Sequence, residues 1–294
     1  MKSTLPGHLP LVFVLVSLVF ALDYTRGQST GTLSVDSEIN ISILLSEISG
    51  MAYDEERIYA INDGGNGPYV FALNPVSGET IERYRVDNIR NTDWEEVTVS
   101  GDHVYIGDFG NNRGNRQDLV IYTIHKDSLS FKDPPVSVTS ISYSEQRNFN
   151  KSRHDHEWDC EAMTVHNGKI YCFSKDWKAR QTKMYIADRG KNNKMEAVDS
   201  FDVGFLVTGA FFDENKKSLF LCGYYDHETY LIHFKNTAEV GFSSLYTRYK
   251  IPELENTQVE SVLVLNDYIY LASERTLKAQ AIYRIPVSSL DYYE

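Results

Sequence analysis

The sequence predicts an all-β protein, a ring of small four-stranded sheets. Three observations lead there: an aromatic-rich composition, a block of about fifty residues that recurs along the chain, and short apolar runs hinged on polar turns inside each block. Tyr numbers 20 and Phe 14, against 5 Met. Such a balance suits pleated surfaces, where aromatic side chains pack well.

The first two runs of each block read as a hairpin. They are Ser49–Ala52 with Ile58–Ile61, Glu95–Val99 with Val104–Gly107, Glu161–Val165 with Ile170–Phe173, Gly209–Phe212 with Leu219–Cys222, and Glu260–Val264 with Ile269–Ala272. Turn-formers such as Ser100-Gly101-Asp102 and His166-Asn167-Gly168 separate them. A third run follows at Tyr69–Leu73, Val120–Ile124, Met184–Ala187, Tyr230–Ile232 and Ala281–Ile285. A weaker fourth is expected at Ile81–Val86, Val136–Tyr143, Met195–Phe201 and Ser244–Tyr249. Four antiparallel strands repeated about an axis are the blades of a β-propeller.

The last block ends near Pro286 after three runs, while Thr32–Ile43 has no block of its own. That N-terminal stretch is therefore expected to close the ring as the fourth strand of the last blade. The count is five blades. Six is the alternative, with an extra blade between Tyr143 and Asp159, but Pro134-Pro135 and the polar stretch Ser144–His156 read as loop.

Residues 28–294 then form a single propeller domain. Ahead of them, Leu9–Leu22 is an apolar run of secretory-signal length, short for a transmembrane helix, with an uncleaved anchor as the alternative. Residues 1–27 are expected to be a signal peptide, cleaved after Ala21 or Gly27. Of 294 residues, 29 are Lys or Arg and 41 Asp or Glu, a net charge of −12. The 42% hydrophobic and 24% charged residues argue against wholesale disorder and a polytopic membrane protein. The acid excess argues against nucleic acid and admits cations. The sequons at Asn40 and Asn150 fit glycosylation outside the cell. Three cysteines, Cys160, Cys172 and Cys222, allow one disulfide at most. An antiparallel register about Asn167-Gly168 sets Cys172 opposite Met163, so no Cys160–Cys172 bridge is expected.

The repeat also maps the mouth of the central channel. Equivalent positions at the start of the innermost strands are Ser49, Glu95, Glu161, Thr208 or Gly209, and Glu260. Asp93 and Asp159 stand two residues before Glu95 and Glu161. Asp63, Asp108, Asp176, Asp226 and Glu274 follow the second strands. Gathered carboxylates repel one another unless a cation or protons offset them. Hard cations take oxygen ligands, and Ca²⁺ suits an extracellular site. Asp63, Asp93, Glu95, Asp108, Asp159, Glu161 and Glu260 are thus the candidate metal ligands. The alternatives are acids that cap turns or bond backbone N–H groups, and acids that catalyse.

Several segments resemble a group of secreted propellers. Ile48-Ser49-Gly50-Met51-Ala52, Asn62-Asp63-Gly64-Gly65, Asp93-Trp94-Glu95-Glu96 and Gly107-Asp108-Phe109-Gly110-Asn111-Asn112 are similar to motifs of the esterase-like-of-phytase propellers and related bacterial propellers. The likeness covers roughly residues 44–165. Here Gly64 replaces the usual Ser, and Asn111-Asn112 the usual Asp-Asn. The resemblance implies a propeller. More distantly, gluconolactonase-type propellers hold a channel metal with Glu, Asn and Asp, and Glu95, Glu161 and Asp63 sit where such ligands would be.

His154-Asp155-His156 is metal-like in spacing, since an extended segment would set both histidines on one side; a polar loop with incidental histidines is the plainer reading. No His-Glu-x-x-His or Gly-x-Ser-x-Gly segment is present, and the glycines at 64, 65 and 67 follow a strand without opening a helix. Tyr59, Tyr105, Tyr171 and Tyr270 read as packing between blades. The expected function is a secreted, acidic, Ca²⁺-holding propeller acting as an extracellular binding or matrix protein, with matrix or mineral-associated partners. The alternative is a secreted metal-dependent hydrolase of a phosphate ester, lactone or glycan, with Asp93, Glu95 and Glu161 as acid, base and metal holder.

Overall fold

The computed structural model of the chain describes residues 27–54, 56–242 and 245–291. The expected leader lies, but for Gly27, outside them. Strands β1 (Gly27–Thr32) and β2 (Ser37–Asn40) precede the repeats. The first blade is β3 (Ile48–Asp54), β4 (Arg57–Asn62), β5 (Tyr69–Leu73) and β6 (Thr80–Arg85). The second is β7 (Trp94–Ser100), β8 (His103–Asp108), β9 (Val120–His125) and β10 (Val136–Tyr143). In the third, β11 (Asp159–His166), β12 (Lys169–Lys175) and β13 (Thr182–Asp188) are followed by β14 (Asn192–Met195), which leaves the blade, and β15 (Ala197–Phe201), which completes it. The fourth is β16 (Leu206–Asp213), β17 (Ser218–Tyr225), β18 (Glu228–Phe234) and β19 (Leu245–Lys250). The fifth has β20 (Val259–Leu265), β21 (Tyr268–Ser273) and β22 (Ala281–Pro286).

The ring closes as the sequence predicts. Strand β2 pairs antiparallel with β22, Ile39 opposite Ile282, as the outermost strand of the fifth blade. Innermost strands neighbour one another in cyclic order, β3 to β7, β11, β16, β20 and back to β3. The sixth blade does not exist, because residues 144–158 contain no strand. Two additions were not legible. Strand β1 lies parallel to β19, and β14 lies parallel to β10 of the preceding blade. Both cover an outer edge, where unpaired N–H and C=O groups would otherwise stand open.

The core is not central. Five apolar clusters fill the five interfaces between blades, one for each neighbouring pair. Tyr59, Tyr105, Tyr171 and Tyr270 are all buried there, in keeping with their expected packing role. Asn167 and Gly168 both have positive φ, 50° and 73°. That geometry matches a two-residue hairpin turn to strand twist, and it sets Cys172 opposite Met163 as expected. All three cysteines are buried and unbridged. No helix among the described residues is long and apolar enough to cross a membrane.

One irregularity repeats in every blade. Each innermost strand skips one residue in its ladder with the second strand: Ser49, Glu95, Glu161, Thr208 and Glu260. A bulge leaves its extra residue unpaired and re-aims the side chain. The small members tie blades together, with Ser49 Oγ donating to Trp94 O at 2.9 Å and Thr208 Oγ1 to Val259 O at 2.5 Å. The glutamates have another use.

Candidate functional site

Glu95, Glu161 and Glu260 line a single cavity of about 780 Å³ at one mouth of the channel, together with Asp63 and Glu274. The bulge places the three glutamates there, and the loops leaving β4 and β21 add Asp63 and Glu274. Asp93, just before β7, completes a tighter group: one carboxylate oxygen each from Asp63, Asp93 and Glu95 lies within 4.8 Å of the others. Glu95 is buried, and its Oε1 has no hydrogen-bond partner among the described residues.

Two glycines make that approach possible. A Cβ on Gly64 would overlap Asp93 Oδ1, and one on Gly110 would overlap Glu95 Oε1 and lie 2.7 Å from Asp93 Oδ2. Asn91 fixes the frame. Its amide donates to Asn62 O at 2.9 Å and Asp63 O at 2.8 Å, while its Oδ1 accepts from Trp94 N at 3.0 Å. It thus locks the Asp63 loop against the segment carrying Asp93.

Burial and mutual repulsion work against ionisation here. Burial, then Asp93, raises Asp63 to about 7. Burial raises Asp93 to about 6 although Arg116 opposes it. Burial, then Asp63 and Glu161, holds Glu95 well above the usual range. Across the cavity, burial carries Glu260 to about 8 against the pull of Lys175, and Glu274 to about 7 with Asp63 adding to it.

Lys175, the last residue of β12, is the counterion that sequence reading missed. Its Nζ donates to Glu161 Oε2 at 2.5 Å and to Tyr224 Oη at 3.3 Å, and lies 4.6 Å from the Trp177 ring centroid. Burial works against its charge, and Glu161, Tyr224 and Glu260 overcome that, so the ammonium form is favoured. One ammonium faces Glu161, Glu260 and the Asp63–Asp93–Glu95 group.

The other candidate ligands stand behind the cavity. Asp108 accepts from Thr92 N, Asp93 N and Arg116 Nη2, the last at 2.8 Å. Asp159 accepts from Asn111 N at 2.5 Å and Trp177 Nε1 at 2.7 Å. Their oxygens are taken by protein donors, so both brace the site. Asp176 accepts from the N–H groups of Lys178 and Ala179, whereas Asp226 reaches the rim. Asn40 and Asn150 are exposed.

His154 and His156 do not share a side. The segment turns at His154, whose φ is 57°. His154 stacks on Trp177 with centroids 3.8 Å apart, while His156 is buried and its Nδ1 accepts from Trp158 N. The alternation expected of an extended segment fails because the segment is a turn.

Glu96 was also missed. It is buried beside the axis, next to the N–H groups of Val97, Ala210 and Met51 and the Ser261 hydroxyl, which belong to four different blades. Its Oε1 accepts from Val97 N at 3.0 Å.

No protein-family model matches the chain, and no curated protein sequence matches it. Solved structures similar to it include glucose dehydrogenase, 11% identical over 85% of this chain and 98% of that one, with a TM-score of 0.49. The WD40 β-propeller domain of Doa1 is 9% identical over 87% and 97%, at 0.45. A chain of the mitotic checkpoint complex is 12% identical over 80% of this chain, at 0.37, and 61% of its length is spanned. The propeller assignment rests on the five sheets themselves. No chemistry passes across likenesses this distant.

Proposed function

We infer that the protein is a secreted binding propeller whose channel mouth holds Ca²⁺ between Asp63, Asp93 and Glu95. The observation that carries this reading is that Glu95, whose buried Oε1 is unpartnered among the described residues, sets a carboxylate oxygen within 4.8 Å of one each from Asp63 and Asp93. Ionised, such a carboxylate is costly; protons offset it in the cation-free protein, and a hard cation with oxygen ligands takes their place. Solvent reaches the same cavity, so a cation there keeps positions for a ligand. The apolar run Leu9–Leu22 and the exposed sequon asparagines support an extracellular setting, where matrix or mineral-associated partners are the natural candidates.

The test is thermal melting with Ca²⁺ and with chelator. Ligand that binds only the folded state raises stability by RT ln(1 + [L]/Kd), about 2.7 kcal/mol at a hundredfold excess over Kd. Wild type should melt higher with Ca²⁺, and Glu95→Gln should lose most of that rise. Equal melting of wild type in both media would sink the reading.

One observation favours hydrolysis as a second reading. Glu260, raised to about 8, faces the cavity and is mostly protonated at neutral pH, as a general acid must be, and Glu274 beside it titrates at about 7. In this reading Glu260→Gln abolishes turnover of a phosphate ester, lactone or glycoside while leaving Ca²⁺-dependent melting intact. If no such compound is turned over by wild type, the binding reading stands alone.

A further inference from the structure

Beside the main cavity lies a second hollow of about 340 Å³, and Asp93 forms part of its wall. Two loops enclose it, residues 110–116 and 152–154. They are laced by Ser152 N donating to Arg113 O at 2.9 Å and His154 N donating to Asn112 O at 3.2 Å. Three arginines line it. Arg116 is committed, its guanidinium donating to Asp108, Asp118 and Gly110 O. Arg113 and Arg153 have no side-chain hydrogen bond or ion pair among the described residues, and neither do the carboxamides of Asn112 and Asn115. Arg153 and Asn112 also line the main cavity, so the two hollows adjoin there.

Two unpaired arginines border one hollow, although in a chain of net charge −12 carboxylate partners are plentiful. Guanidinium forks bind oxyanions strongly because each offers parallel, charged donors. Two forks and two carboxamides supply more donors than a two-oxygen carboxylate can accept.

We propose that this hollow receives a tetrahedral oxyanion, a phosphate or sulfate group carried by the ligand whose remainder occupies the main cavity. The proposal rests on the Ca²⁺ reading, since Asp93 borders the oxyanion and needs the cation to offset its charge. Cation and guanidinia would then grip the group from two sides. Glu161, Glu260 and Lys175 would meet the rest of the ligand.

The experiment titrates the full chain calorimetrically with inorganic phosphate, inorganic sulfate and acetate, in Ca²⁺ and in chelator. Phosphate or sulfate should bind more tightly than acetate, and whichever is tighter names the ester. Arg113→Gln and Arg153→Gln should each weaken that binding at least about tenfold. Both side chains are exposed, so the fold and the Ca²⁺-induced rise in melting temperature should persist. Absence of binding by both tetrahedral anions, or wild-type affinity in both variants, overturns the proposal while leaving the Ca²⁺ reading untouched. Arginine-dependent anion binding in a protein that ignores Ca²⁺ overturns the cation reading and, with it, the two-sided grip proposed here.

Discussion

Gly110 faces Glu95 so closely that a β-carbon in its place would overlap the carboxylate oxygen Oε1. The glycine between Phe109 and Asn111 is therefore part of the site, through the space it leaves. Gly64 does the same for Asp93.

Gly110→Ala should push the Glu95 and Asp93 carboxylates away from each other's reach. Ca²⁺ affinity is expected to fall at least about tenfold, a loss of about 1.4 kcal/mol. Calcium titration followed by melting or calorimetry checks it. Unchanged affinity would mean that the carboxylates do not act together.

Acidity should stabilise the Ca²⁺-free protein. Asp63 at about 7, Asp93 at about 6, Glu260 at about 8 and Glu274 at about 7 all titrate above their ordinary values. Between pH 5 and 8 the folded state thus binds more protons than the unfolded chain, and stability falls as pH rises through that window. In chelator the melting temperature should drop by at least about 3 °C across it, since 1 kcal/mol moves a chain of this size by about 2–4 °C. With Ca²⁺ the drop should shrink, because the cation replaces the protons. A flat profile in chelator would refute the assigned protonation.

Lys175→Met leaves Glu161, which burial already pushes well above the usual carboxylate range, without its cation, so the loss is fullest above neutral pH where Glu161 is ionised. Breaking one side of a buried pair costs about 3–5 kcal/mol. Pairing the change with Glu161→Gln should recover part of the loss, and a double-mutant cycle in denaturant measures the coupling. Strict additivity would show that the two side chains do not share an energy.

Glu96→Ala should cost about 1–3 kcal/mol by stripping an acceptor from buried N–H groups. Glu96→Gln keeps one acceptor oxygen and should cost less. Chemical denaturation distinguishes them.

The repeat made the strand plan readable. Ser49, Glu95, Glu161, Thr208 and Glu260 could be aligned because each precedes an apolar run and a tight turn, and each proves to be the bulged residue of its blade. The closure by β2 was readable for the complementary reason that one blade lacked a strand. What depends on contact between distant segments was not. Lys175 ends a strand like any solvated lysine, and only the fold brings it to Glu161. Asp108 has the same pattern as Asp63, yet Arg116 sits beside it and takes its charge. Strand β14 reads Asn-Asn-Lys-Met, with no apolar alternation, and is a strand because the edge of β10 is open to it. Glu96 carried no signal beyond its neighbour Glu95.

Strand β2 meets β22 across more than two hundred residues of chain, with Asn40 opposite Ala281. These two distant strands must therefore find each other before the last blade has its outer wall. Until then, the apolar faces of β20 to β22 stay open to chaperones. Once clasped, the circle has no weak first or last sector, so rejoining the termini and cutting a turn elsewhere should yield the same molecule.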